Sequence, residues 1–129
     1  MRRLPVMGMV SAIVAFAAGT GTAAAGPFPP PPCSFALTPL AAGNGMVSVS
    51  VISTGCAALA APYSSVACLQ AADDPATTCS QGQGADPALV TLAHRPGVAY
   101  TASGRGCAGW VGLPPAANCQ ILGPVVATL

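Results

Sequence analysis

The clearest pattern in the chain lies at residues 46–53, where Val47, Val49 and Val51 alternate with Ser48 and Ser50. Alternation with period two places the valines on one face of a β-strand and the serines on the other. Residues 34–38 alternate more weakly and end at Pro39, which suits a short edge strand. Between the two, residues 41–45 supply a turn, and its Asn44-Gly45 pair is the strongest short hairpin signal in the sequence. Residues 63–69 and 88–92 read as further strands, and residues 77–80 as the return partner of the first of these. Asp73-Asp74-Pro75 is a turn, because aspartate bonds its own backbone and proline presets the dihedral. A second turn, His94-Arg95-Pro96-Gly97, leads into a strand over residues 98–103. Ile121, Val125, Val126 and Leu129 make a closing strand broken at Gly123-Pro124. Residues 57–61 are alanine-rich but span about one helical turn, too short to stand as a helix.

Several short strands at turn-punctuated intervals predict an all-β sandwich. The segment around Pro96-Gly97 and Tyr100-Thr101 resembles the corner of immunoglobulin and fibronectin III-like domains, where a tyrosine hydroxyl locks the connection between two strands. Tyr100 would be that tyrosine.

The first residues change the picture from a bare domain to an exported one. Arg2 and Arg3 precede an apolar stretch over residues 4–18, and Ala23-Ala24-Ala25 offers the small residues that a signal peptidase needs. The expected signal peptide is residues 1–25, taken by the general secretory route. The apolar stretch falls short of the roughly 20 residues that span a bilayer. Cleavage after Ala25 leaves 104 of the 129 residues, one domain's worth of chain. Residues 26–32 form a proline-rich spacer with polyproline II stiffness, and the domain occupies residues 33–129.

Three aspartates, Asp73, Asp74 and Asp86, stand against Arg95 and Arg105 after the leader, a formal charge of −1 without lysine or glutamate. No cluster of cations could track a nucleic-acid backbone or an anionic membrane, so neither is an expected partner, and no membrane span is expected after cleavage. All six cysteines follow the leader, as a disulfide framework of an exported chain requires. No cysteine pair has zinc-knuckle spacing, and neither a metal nor another cofactor is called for. Cys33 sits behind four prolines, which would obstruct a lipoprotein peptidase, and lipidation would leave an odd number of thiols. It is therefore expected in a disulfide.

Six cysteines allow 15 pairings. Hairpin geometry narrows them. About an Asn44-Gly45 turn, residues whose numbers add to 89 face each other, as Cys33 and Cys56 do. Asp73-Asp74 is likewise the midpoint between Cys68 and Cys79. Cys107 and Cys119 remain, closing a loop around Gly109-Trp110 and Pro114-Pro115.

The order of Thr38-Pro39, the valine-alternating strand, Tyr63-x-x-Val66-x-Cys68, a cysteine near position 79 and a late Cys119-Gln120-Ile121-Leu122 resembles the neocarzinostatin and macromycin family of secreted actinobacterial proteins. The resemblance implies an immunoglobulin-like sandwich with two local disulfides, matching Cys68 with Cys79 and Cys107 with Cys119, and an apolar small molecule carried in a cleft. Cys33 and Cys56 have no counterpart there. The leader and the Ala/Gly/Pro-rich style are also similar to small secreted mycobacterial proteins of unknown activity.

Catalysis needs titratable groups held together, and the inventory is one histidine and three aspartates. Ser103, His94 and Asp86 can be drawn as a triad, but no Gly-x-Ser-x-Gly elbow supports them. His94 is expected as a solvated turn residue and Asp73 and Asp74 as turn formers. The chain is therefore read as a non-catalytic binding module whose partner is a protein, an envelope component or a small apolar ligand. Trp110, in a Gly/Pro-rich loop, either plugs one end of the core or anchors a partner, and Arg105 beside it could clamp an anion. Phe35 is expected in the core.

Overall fold

The structure is a computed structural model that describes residues 31–114 and 118–129. The expected signal peptide and residues 26–30 of the spacer lie outside the described residues. Eight strands follow one another: β1 (Cys33–Leu37), β2 (Ala41–Gly43), β3 (Met46–Cys56), β4 (Ala60–Ala71), β5 (Thr78–Gln83), β6 (Ala88–Ala93), β7 (Ala99–Trp110) and β8 (Asn118–Thr128). They form two packed sheets, so the all-β sandwich expected from the strand pattern is the fold.

In the first sheet β3 is the central strand. Val51 pairs with both Leu37 of β1 and Ala88 of β6, and Ser48 pairs with both Ala41 of β2 and Thr91 of β6. Hence β1 and β2 run along one edge of β3, and β6 along the other. Asn44 and Gly45 both have positive φ, 54° and 75°, the backbone that a two-residue hairpin between β2 and β3 demands. The second sheet has the order β5-β4-β7-β8, with every neighbour antiparallel.

The alternation in β3 works as the sequence predicts: Val47, Val49 and Val51 are fully buried while the serines between them are not. They meet Ala67, Leu69 and Ala71 from β4 and Tyr100, Ala102 and Ala108 from β7, with Phe35 from β1 and Ala88 and Val90 from β6 completing the core. Most of these side chains are small, so the sheets must approach closely to leave no void. Glycines in β7 permit this. A Cβ on Gly106 would stand 2.1 Å from the Phe35 ring, and one on Gly104 would stand 2.4 Å from Val51.

Every disulfide joins two directly opposed residues of neighbouring antiparallel strands: Cys33 with Cys56, Cys68 with Cys79, and Cys107 with Cys119. Their Cα separations of 4.0, 4.1 and 4.0 Å belong to the narrow class of opposed pairs, where side chains already lean together. The hairpin sum that pairs Cys33 with Cys56 survives two irregularities of opposite sense. The register slips by one residue between Ser34 and Phe35, and an extra residue between Leu37 and Ala41 restores it. Three disulfides place the folded chain in an oxidising environment.

Several segments differ from expectation. Residues 41–43, expected in the turn, form β2 and pair with β3, leaving Asn44-Gly45 alone as the turn. Residues 104–110, expected beyond the end of a strand and in a loop, continue β7 and pair with β4 on one side and β8 on the other. Glycine lowers strand propensity, but here packing against Phe35 overrides it. Residues 60 and 61, part of an alanine-rich stretch outside any expected strand, begin β4. Finally, β8 is not broken at Gly123-Pro124: Gly123, at φ 77°, absorbs one extra residue in a bulge, and Pro124 is tolerated because β8 is an edge strand.

Gly106→Ala should lower stability by roughly 1–3 kcal/mol through overpacking against the ring. In a Phe35→Leu background the loss should shrink. Urea denaturation of the two single variants and the double variant checks this, and strictly additive effects would contradict the contact.

Candidate functional site

The sandwich presents different chemistry at its two ends. At one end, where β6 turns into β7, the chemistry is structural. The Tyr100 ring is fully buried, and its hydroxyl donates to the Ala93 carbonyl at 3.0 Å and accepts from the Arg95 amide at 2.9 Å. The tyrosine thus bridges both sides of the turn that precedes its own strand. His94, expected in solvent, is half-buried, and its Nε2 donates to the Leu129 carbonyl at 3.2 Å, which fixes the tautomer. The Gly97 amide reaches the same carbonyl, so the turn is tied to the end of β8 as well.

Asp73 and Asp74 do form a turn. The Asp74 carboxylate accepts from the Ala76 amide at 2.9 Å, and the Gln70 side chain donates to the Asp74 carbonyl. Asp73 makes a two-pronged ion pair with Arg95, linking the β4–β5 turn to the β6–β7 turn. Hydrogen bonding to the guanidinium holds the Asp73 carboxyl below the usual carboxylate range, and the same contact raises Arg95. Beside the pair lies a notch of about 400 Å³ bordered by Ala71, Asp74, Leu92 and Tyr100.

The triad that could be drawn from the sequence is not assembled. Asp86 precedes β6 and His94 follows it, so a six-residue strand of roughly 20 Å separates them. Ser103 sits on β7 facing a notch of about 250 Å³ with Val66, Cys68 and Arg105. Among the described residues, no group of three or more histidine, cysteine, aspartate or glutamate side chains could hold a metal ion. No described helix is long and apolar enough to cross a membrane.

Trp110 and Arg105 are not brought together. Arg105 is exposed in the middle of β7, whereas Trp110 is the last residue of that strand. Trp110 is half-buried and stands outside the packed core, which corrects the reading of it as a plug. It lines an apolar notch of about 170 Å³ with Ala61, Pro62, Tyr63, Gly109, Val111 and Leu113. Leu59, Val111 and Leu113 around this end are 78%, 68% and 64% exposed, and the Val111 amide donates to the Leu59 carbonyl at 2.7 Å. Leu59 has φ 64°, a conformation that branched and bulky residues seldom adopt, and it holds an apolar side chain out to water.

Sequence reasoning found Trp110 and missed Leu59, Tyr63, Val111 and Leu113. The run Gly109-Trp110-Val111-Gly112-Leu113 did carry a signal, three large apolar side chains within a glycine-punctuated turn. Nothing in the sequence marks the backbone of Leu59.

No protein-family model, no curated protein and no solved structure matches the chain.

Tyr100→Phe should lower stability by roughly 1–3 kcal/mol, since the Ala93 carbonyl and Arg95 amide both lose a partner. The Asp73 pair predicts a pH effect of known sign. A depressed carboxyl pKa stabilises the fold above the unfolded value of about 3.9, and that stabilisation is lost as pH falls toward the folded value. Asp73→Asn should therefore flatten the decline of melting temperature between about pH 5 and pH 3. An unchanged profile would show that the pair is broken in solution.

Proposed function

We propose that the chain is a small exported binding module, non-catalytic, that engages a macromolecular partner of the extracellular space or cell envelope through the end of the sandwich that carries Trp110. The observation that carries this reading is the cluster of Leu59, Val111 and Leu113, three strongly exposed apolar side chains grouped around a tryptophan-lined notch. Exposed apolar residues scattered singly are ordinary, but a contiguous group around a rigid aromatic is the make-up of an interface anchor.

Export is supported by the leader pattern of residues 1–25 and by an oxidising environment for three disulfides. The Tyr100 corner supports an immunoglobulin-like type of sandwich, and with it the resemblance to the neocarzinostatin-like proteins of actinobacteria. Notch size and lining separate a macromolecular partner from an apolar small molecule carried in a cleft. Small-molecule sites enclose roughly 300–1,000 Å³ and are mostly apolar; the apolar notch at Trp110 holds about 170 Å³, room for a side chain or two, and the notch of about 400 Å³ at the opposite end is bordered by the Asp73–Arg95 ion pair and Asp74. The wide separation of Asp86 from His94 supports a non-catalytic role.

Co-sedimentation of the purified protein with the envelope fraction of its own host tests the reading. Saturable binding is expected, and Leu59→Ser with Val111→Ser should weaken it at least about tenfold, as loss of an anchoring residue does. Equal retention of the double variant would remove this surface from the interaction. A non-covalent small molecule released from the host-secreted protein on denaturation would favour the carrier instead.

A further inference from the structure

Arg105 is the only charged residue in strands β4, β5, β7 and β8. Among the described residues the single ion pair joins Arg95 to Asp73, and the Arg105 guanidinium has no hydrogen-bond partner. Its direction follows from its neighbours in the chain. A Cβ on Gly104 would meet Val51 and one on Gly106 would meet Phe35, both in the other sheet, so residue 105 between them points away from the core. Residues 103, 107 and 109 share that outer face by the same alternation. Gly109 is opposed to Ala61 of β4, and a Cβ on it would stand 3.9 Å from the Tyr63 ring. These three residues line the Trp110 notch, which therefore lies at the end of the same outer face. In the middle of that face Arg105, Ser103, Val66 and Cys68 border the notch of about 250 Å³. Ile121 of β8 stands opposite Arg105 on its other flank and is 73% exposed. The strand that keeps Arg105 away from Trp110 thus sets two notches on one surface, with four residues of β7, roughly 14 Å, between Gly109 and Arg105.

Resting on the reading of the Trp110 end as an apolar anchor, we propose that the outer face of this sheet takes an extended acidic segment of a partner protein, with an apolar side chain in the Trp110 notch and a carboxylate on Arg105. An extended segment advances roughly 3.4 Å per residue and returns its side chains to one side at every second position, so its residues i and i+4 reach both notches at once. The number of charges selects among anionic partners. An anionic membrane or an acidic polysaccharide carries repeated negative charge and is held by clustered cations, whereas this face offers one. A single guanidinium suits a single carboxylate, which it grips through two parallel N–H bonds. The Ser103 hydroxyl, two residues along the same face, adds a donor beside it. Val66, Cys68 and Ile121 around the guanidinium keep part of the water away, which strengthens the pairing relative to one on open surface. Between the two notches lie Ser64 and Cys107, neutral residues that set no charge against an acidic segment passing over them.

Two synthetic peptides, acetyl-Leu-Thr-Ser-Thr-Glu-amide and its counterpart ending in glutamine, test this by nuclear magnetic resonance titration of the disulfide-intact chain beginning at Gly26. The glutamate peptide should shift the Trp110 indole and the Arg105 side-chain N–H resonances together, and it should bind roughly three- to fivefold more tightly than the glutamine peptide. Arg105→Gln should abolish that preference, and Arg105→Glu should transfer it to a peptide ending in lysine. Neither substitution should move the melting temperature appreciably, because the side chain is exposed and unpaired. Indole shifts of equal size from both peptides, unaltered by Arg105→Gln, would overturn the assignment of Arg105 while the Trp110 anchor stands. Shifts at Arg105 without any at the indole would also overturn it, since the two notches then act apart. An indole that responds to none of the peptides would strike the anchor itself, and this proposal with it.

Discussion

The Phe35 ring rests on bare backbone at Gly106, and the rest of the sandwich is arranged around that contact. A core assembled mostly from alanine, valine and glycine cannot fill the usual gap between two sheets, so the sheets must come closer. Closeness is possible only where one strand gives up its side chains, and β7 does so at Gly104 and Gly106 opposite Val51 and Phe35. Glycine-rich β7 is thereby an inner strand of its sheet, paired along its length with β4 and β8. On the flank where β1 meets β8, the Gln120 side chain accepts a hydrogen bond from the Phe35 amide at 2.8 Å, fastening the edge of one sheet to the other beside the same ring.

The disulfides complement this core. Each joins opposed residues within a sheet, so each fixes a register, and none bridges the two sheets. A slip of one residue would turn every valine of β3 outward, whereas β8 has no buried position, so hydrophobicity alone does not forbid a slip there. The covalent bonds supply the specification that a small-residue core lacks. Contact between the sheets is left to packing, to the Phe35–Gln120 hydrogen bond on one flank, and to the Tyr100 corner that ties the β6–β7 turn down at one end.

Much of this was legible in the sequence where one residue acts locally. Val47, Val49 and Val51 announced β3, Asn44-Gly45 announced its hairpin, and hairpin symmetry about residues 44–45 and 73–74 led to two of the disulfides. The Cys33 pairing came out correctly although a bulge and a counter-bulge lie between the turn and the bond, because the two cancel. What depended on contact between distant segments was hidden. Residues 104–110 look like a loop until Phe35 is placed over Gly106, and Leu59 looks like part of an alanine-rich turn until its backbone is seen to turn it outward. Arg105 and Trp110 are near in sequence, but a strand carries them apart, so neighbourhood along the chain was no guide to a shared site.

The two ends of the sandwich accordingly divide the work: ion pair, tyrosine and histidine secure one, and apolar side chains are displayed at the other. Both depend on the sheets holding their close approach. The most direct test is a nuclear Overhauser spectrum of the oxidised protein, reading contacts between the Phe35 ring protons and the two α-protons of Gly106. Strong cross-peaks, with the Gly106 α-protons shifted by the ring current, are predicted. Their absence, with Phe35 showing the averaged shifts of a solvated ring, would mean that the sheets are not held together by this contact.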